Sequence, residues 1–564
     1  MGIKNKKFAR LSDDEHLQDD RSFYGHASLD VADQMSYEAY RSNDKVPLVE
    51  MTKDAAEHNE NNAPLRQALK QYSRIVWWCL ATATAILYGG YDSGVLSAAI
   101  TLPAFARDFG DEQPFDPSKP EEQWLVPAKW LSLWEGIGPL GQLVGAILGG
   151  WLLDKIGRKL CLLMGSIIGV VGILLFVSAN KPADKDSRRI MILLAKVVQG
   201  FGLGIIKIET FTYLSEVVPV SLKGAVFALV PIFTLLGQLM GGIVGFVSEK
   251  NDTSMSYVIT LGSQLIVALP SFTLSIFLPE SPAYLLNKNN SQGALASLRR
   301  LLGPKNDAHA AMVKLEHTIT EEKKMSGKAR YIDTFRGTNI RRTLIIMFAS
   351  SIEILWGLPL LGTVSLYLKV LGLPASYALL FQIAGIIVGL IANIGSAWTL
   401  SHIGRRKLTY VSFLITACLW TAMGFSGIKQ SKVTPWISGG IMTGVVSVCG
   451  LGAWPASYAI QGETSTLRLR AKSQAIGSLT NSLLNMGAGA ILPYIFNKDA
   501  GDAGAKTGFV FTATCVIGAA ATFFFVPELK GRSAEEIDQL FEKRVSSIKS
   551  AKWQNTAQEP LRRV

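Results

Sequence analysis

The chain has 564 residues, of which 49% are hydrophobic and only 18% charged, and its formal net charge is +12. Such a composition excludes an ordinary soluble enzyme. The positive charge does not point to nucleic acid, because the Lys and Arg residues are scattered over the segments between apolar runs, where they orient membrane spans.

Residues 1–73 carry DDEHLQDD and EHNENN and no apolar run. They are expected to form a disordered cytoplasmic tail, neither a cleaved leader nor a packed domain. From residue 74 onward twelve apolar stretches follow, approximately 74–98, 130–153, 160–178, 190–214, 225–247, 258–278, 343–366, 377–400, 408–427, 437–461, 473–496 and 508–526. Each is long enough to cross a hydrocarbon core of about 30 Å at about 1.5 Å per residue. The expectation is an all-α membrane protein of twelve transmembrane helices, with the lipid bilayer as its first partner.

The expected organisation is an N-terminal six-helix bundle over 74–278, a cytoplasmic central loop over 279–342, a C-terminal six-helix bundle over 343–526 and a cytoplasmic tail over 527–564. Paired basic residues at 299–300, 323–324 and 341–342 place the central loop in the cytoplasm, and both termini with it. The loop 179–189 opposes this rule, since it should face outward yet holds Lys181, Lys185, Arg188 and Arg189. The plasma membrane is the expected location.

The spans repeat. In LLDKIGRK and SHIGRRK, Gly157 and Gly404 stand 247 residues apart, and so do Glu216 of YLSEVVP and Glu463 of GETS. PESP begins at Pro279 and PELKGR at Pro527, 248 residues later. A six-helix unit duplicated in parallel accounts for all three, and such repeats enclose a substrate site between the halves near mid-membrane.

Together with GYDSG at 90–94 and GFGLG at 200–204, these motifs resemble the sugar porter family of the major facilitator superfamily, from about residue 74 to 545. LLDKIGRK and GQLMGG most resemble its fungal alpha-glucoside (maltose) permeases. The resemblance implies proton-coupled import of a small solute, most simply a sugar, by alternating access, with no cofactor or metal. It also implies a cytoplasmic gate with Arg158, Arg405, Arg406 and Arg470 as donors and Glu216, Glu280 and Glu463 as acceptors. Topology alone would have the same charges merely anchor loops. The chain departs from the family in having Ser401 where the first repeat has Asp154, and Lys223 in place of an arginine.

Ionisable groups within spans are functional candidates. Asp92 and Lys196 each lie about six residues from the outer end of their spans, hence about 9 Å deep, and equal depth suits a pair. By resemblance the pair is a proton switch; otherwise it is a static ion pair or a snorkelling lysine. Lys207 and Glu209, two residues apart, point to different faces and have no assigned role. Glu135 is expected at the outer surface, in solvent.

Sugar binding requires carboxamides, hydroxyls and indoles. Gln238, Trp454, Tyr458 and Asn481 supply them, and Gln238 and Asn481 match family sugar-contact positions. The seventh span departs from the family pattern QQxxGxN. It reads EILWGLP from Glu353 to Pro359, replacing both glutamines and the asparagine. Glu353 is then an ionised acceptor for sugar hydroxyls, the mark of a pocket rebuilt for another solute, or a protonated structural acid. Trp356 is either a stacking platform or lipid-facing bulk.

Asn251-Asp-Thr is a glycosylation sequon in a predicted outer loop. The five cysteines lie in or beside apolar spans and read as packing residues. GIGPLG at 136–141 lies inside a span without a preceding strand, so no dinucleotide fold follows, and no nucleophile or metal motif supports an enzyme. Two other functions stay open. One is transport or export of a non-sugar metabolite, which EILWGLP favours. The other is a non-transporting sugar sensor, which the 38 residues from 527 onward disfavour as too short a signalling tail.

Overall fold

A computed structural model describes residues 69–112, 124–304, 307–326, 330–466, 469–530, 532, 534–551 and 553. The expected N-terminal tail lies almost entirely outside the described residues, as does the Lys223 side chain. The first six membrane helices are α1 (Ser73–Thr101), α2 (Ala128–Ile156), α3 (Arg158–Val177), α4 (Lys185–Val217), α5 (Val220–Glu249) and α6, which comes in two pieces, Met255–Gly262 and Leu265–Phe277. The second six begin with α7 (Asn339–Leu355, then Leu358–Gly362 and Val364–Val370) and α8 (Ala375–His402). They continue with α9 (Arg405–Ser426), α10 (Thr434–Leu451, then Ala453–Thr464), α11 (Arg470–Phe496) and α12 (Thr507–Phe525).

Among the described residues nine of these are long and apolar enough to cross a membrane, and α1, α7 and α11 are the exceptions. The reason is chemical. α1 carries Asp92 and Ser93, α11 carries Asn481 and Asn485, and all four line the interior cavity. α7 is interrupted, contrary to the continuous span expected over 343–366. Gly357 adopts φ +100, a left-handed conformation that stops the helix, and Pro359 lacks an amide to continue it.

In the first half α2 and α3 pack on α4, and α1 on α5; in the second, α9 packs on α12, α8 on α10, and α7 on α10 and α11. The small-residue face Gly141, Gly145 and Gly149 of α2 lies directly against α4, where a Cβ would meet Val197, Phe201 and Ile205. The halves meet through α2 with α11 and α5 with α8.

The polar bonds between halves gather on the face opposite the two turns Gly157-Arg158-Lys159 and Gly404-Arg405-Arg406, the GRK turns that mark the GRK face. There Asn497 donates to the Val126 carbonyl at 3.0 Å and the Ala128 amide donates to Asp499 at 2.8 Å. Ser376 donates to Glu249 at 2.9 Å, and Ser97 and Ser365 are 3.1 Å apart.

The basic loop 179–189 lies on this same face. Three of its four cations are engaged locally, with Arg189 buried and paired to Asp111 and Asp186, Lys185 donating to the Gly110 carbonyl at 2.9 Å and Arg188 to the Pro182 carbonyl at 2.6 Å. Asp184 begins α4 by accepting from the Ser187 amide at 3.0 Å, a bond that holds its carboxyl below the usual range.

On the GRK face the central segment is not an extended loop. It forms helices Pro282–Asn287, Ser291–Leu302 and Ala308–Ser326, tied to the first half where Arg300 donates to the Phe277 carbonyl. The helix Ala534–Glu542 docks instead on the second half, with Asp538 accepting from Arg342 at 2.6 Å.

Candidate functional site

Between the halves lies a cavity of about 460 Å3, within the range of about 300–1,000 Å3 usual for small-molecule sites. Its wall in the second half is organised by Glu353, on the last turn of α7 before the break. Glu353 Oε1 accepts from Trp454 Nε1 at 2.9 Å and from the Tyr458 hydroxyl at 2.7 Å. Its Oε2 accepts from Asn481 Nδ2 at 3.2 Å.

Four residues singled out separately in the sequence therefore form one cluster spanning α7, α10 and α11. Three donors converge on one carboxyl, a set that an ionised carboxylate satisfies. The Tyr458 ring is half exposed to the cavity, whereas Trp356 is 1% exposed, which removes the lipid-facing reading. Trp356 instead packs against Trp454 at 6.1 Å between ring centres, and its carbonyl accepts from Trp420.

In the first half Gln238 lines the cavity and donates to Ser93 at 2.9 Å. Deeper in the same wall, Lys196 Nζ and Asp92 Oδ1 are 3.0 Å apart, both residues nearly buried. Glu135 does not sit at the outer surface in solvent. It lines this cavity within electrostatic reach of both partners, because α2 begins at Ala128 and carries Glu135 two turns inward. Lys207 also lines the cavity, while Glu209 is fully buried outside it. Gln142, Gln382 and Asn485, which no sequence argument reached, add carboxamides to the polar lining.

The GRK face holds two matching clusters. Arg158 reaches Glu216 through Nε at 3.0 Å and Nη2 at 2.5 Å, and its amide donates to Glu280 at 2.8 Å. Arg405 reaches Glu463 through Nε at 3.1 Å and Nη2 at 2.9 Å, and its amide donates to Glu528 at 2.8 Å.

The expected network is thus two separate networks, each inside one half. Glu528 was missed, although the PESP and PELK repeat contained the signal. Among the described residues Arg406 meets no carboxylate; it donates to the Phe523 carbonyl at 2.6 Å and lies over that ring. Arg470, at the start of α11, is exposed and forms no ion pair among the described residues. Asn251 is exposed in the turn between α5 and α6, its side chain accepting from Thr253 at 2.9 Å.

Twelve helices in two six-helix halves around a central polar cavity define the major facilitator fold, and the protein is a multi-pass membrane transporter of that superfamily. A family model described as "Sugar (and other) transporter" matches residues 78–541, and the chain belongs to that family, the sugar porters. It is 28% identical over 460 residues to the MFS transporter fmqE of Aspergillus fumigatus, covering 80% of this chain and 83% of that one. It is 26% identical over 525 residues to the alpha-glucosides permease MPH3 of Saccharomyces cerevisiae, covering 91% and 85%. Among solved structures, the xylose transporter XylE of E. coli in a partially occluded inward-open conformation superposes with a TM-score of 0.67 at 18% identity, covering 82% of this chain and all of that one.

Proposed function

We propose that this protein imports a sugar, of the alpha-glucoside class or a close relative, by alternating access coupled to protons. The observation that carries the reading is the buried Asp92–Lys196 pair in the wall of a sugar-sized cavity. Protonating Asp92 removes its charge and frees the Lys196 ammonium, so one proton alters the electrostatics of the cavity wall. Glu135 beside the pair offers a second carboxylate to the same cation.

Relatives support the substrate class, since MPH3 is a permease for alpha-glucosides and MAL31, 26% identical over 532 residues, is a maltose permease. In this reading the GRK face and both termini are cytoplasmic in the plasma membrane, Asn251 is presented for glycosylation outside, and the bonds that close the opposite face make the conformer inward-facing. The two arginine clusters then brace each half beside the gate.

A second reading is transport of a non-sugar metabolite. It is favoured by Glu353, whose oxygens are already engaged by protein donors where the family pattern has glutamines. Uptake of labelled maltose, glucose and a metabolite panel into proteoliposomes, with and without an imposed proton gradient, tests both. Gradient-driven maltose accumulation is expected; accumulation of neither sugars nor sugar acids removes the first reading.

A further inference from the structure

Lys207 lines the central cavity, exposed, and makes no hydrogen bond, ion pair or ring contact with any described residue. It lies eleven residues after Lys196, three turns along α4, so both lysines stand on one stripe facing the cavity. Their circumstances differ. Lys196 is committed to Asp92 at 3.0 Å, and Glu135 lies within reach of that pair. Glu353, the carboxylate of the opposite wall, is engaged by Trp454, Tyr458 and Asn481. The acid nearest in sequence, Glu209, is fully buried on another face of the helix.

Alternating access closes the cavity around its solute and strips water from whatever faces it. An ammonium left without a counterion in that enclosure is costly. A negatively charged group on the solute removes the cost and gains a charge-assisted hydrogen bond. One free cation balances one negative charge, which favours a carboxylate over a dianionic phosphate ester.

We propose that Lys207 is a subsite for a carboxylate, and that the preferred solute is a sugar acid rather than a neutral sugar. The inference rests on the sugar-transport reading and specifies its substrate class. The carboxylate contacts Lys207 on the first-half wall while the ring of the solute lies toward Tyr458 and Trp454 on the second.

The test is competition and uptake in proteoliposomes of the full chain with D-glucuronate and D-glucose, which differ only in the carboxylate at the sixth carbon, and with maltose. In wild type the acid is expected to outcompete glucose by about tenfold or more. Lys207→Gln should collapse the ratio of acid to neutral sugar, and Lys207→Arg should restore it.

A wild type that transports maltose or glucose with no advantage for glucuronate overturns the subsite and leaves the sugar reading standing; a wild type that moves neither sugars nor their acids sinks both. Should Lys207→Gln and Glu353→Gln each abolish maltose uptake and the Lys207→Glu, Glu353→Lys exchange restore it, Lys207 is a gate partner of Glu353 and the proposal is wrong.

Discussion

Glu528 fills the space in which a side chain at Gly404 would stand, and Glu280 does the same at Gly157. Only Gly157 has the positive φ, +92, that a turn would demand; Gly404 sits at φ −66, open to any residue. The shared requirement is therefore room for a carboxylate to dock on the first amide of the following helix, at Arg158 and at Arg405. Gly404→Ala should displace Glu528 and cost about 1–2 kcal/mol, the scale of a lost helix cap. Gly157→Ala should cost more, because left-handed backbone adds about 1–2 kcal/mol. Thermal unfolding of purified protein checks both, and an unchanged midpoint for Gly404→Ala would show the docking to be inert.

The confinement of each arginine cluster to one half makes a separable prediction. Arg405→Ala and Glu463→Ala should be strongly non-additive, with a coupling of about 0.5–3 kcal/mol, since each removes the other's partner. Arg158→Ala combined with Glu463→Ala should be additive within about 0.5 kcal/mol. A double-mutant cycle on unfolding midpoints reads this directly. Coupling between Arg158 and Glu463 as large as that within one half would mean that the two networks join in a populated state.

Asp92→Asn is expected to keep the protein folded but to stop accumulation of solute against its gradient. Asparagine can still accept from Lys196, yet it cannot take up and release a proton. Loss of a partner from a buried pair costs about 3–5 kcal/mol, so some loss of thermal stability accompanies the change. Exchange of solute across the membrane without a gradient should persist. Retained proton-driven accumulation by the variant would refute the switch.

Glu353→Gln is nearly isosteric and separates organisation of the wall from charge. The glutamine oxygen can still accept from Trp454 and Tyr458, but its amide then faces the Asn481 amide, donor against donor. Apparent affinity should fall about three- to tenfold, with expression preserved, because one bond of about 1 kcal/mol is exchanged for a mismatch. Glu353→Ala frees all three donors and should cost far more. Equal transport by wild type and Glu353→Ala would remove this cluster from the solute pathway.

The twelve helices and their duplication were legible in the sequence because hydrocarbon imposes a minimum length on each apolar run, and because a repeated fold leaves its turns at a repeated spacing. Local chemistry likewise marked Asp92, Lys196, Glu353, Trp454, Tyr458 and Asn481 as unusual within their spans. What those residues face was not legible. Glu135 looked peripheral because it stands near the start of its apolar span, which the helix extends by beginning at Ala128, and Gln382 and Asn485 carried no signal that distinguishes a cavity wall from a helix contact. The arginines resembled one gate, but which carboxylate each meets depends on how the start of α3 rests against the ends of α4 and α6 and the start of α9 against the ends of α10 and α12, relations between segments 58 to 123 residues apart. Composition and periodicity act along the chain and so determine which segments enter the membrane. Partner choice is a property of distances across it, and only the packed halves decide that Lys196 is answered by Asp92 while Lys207, three turns away on the same helix, lines the cavity.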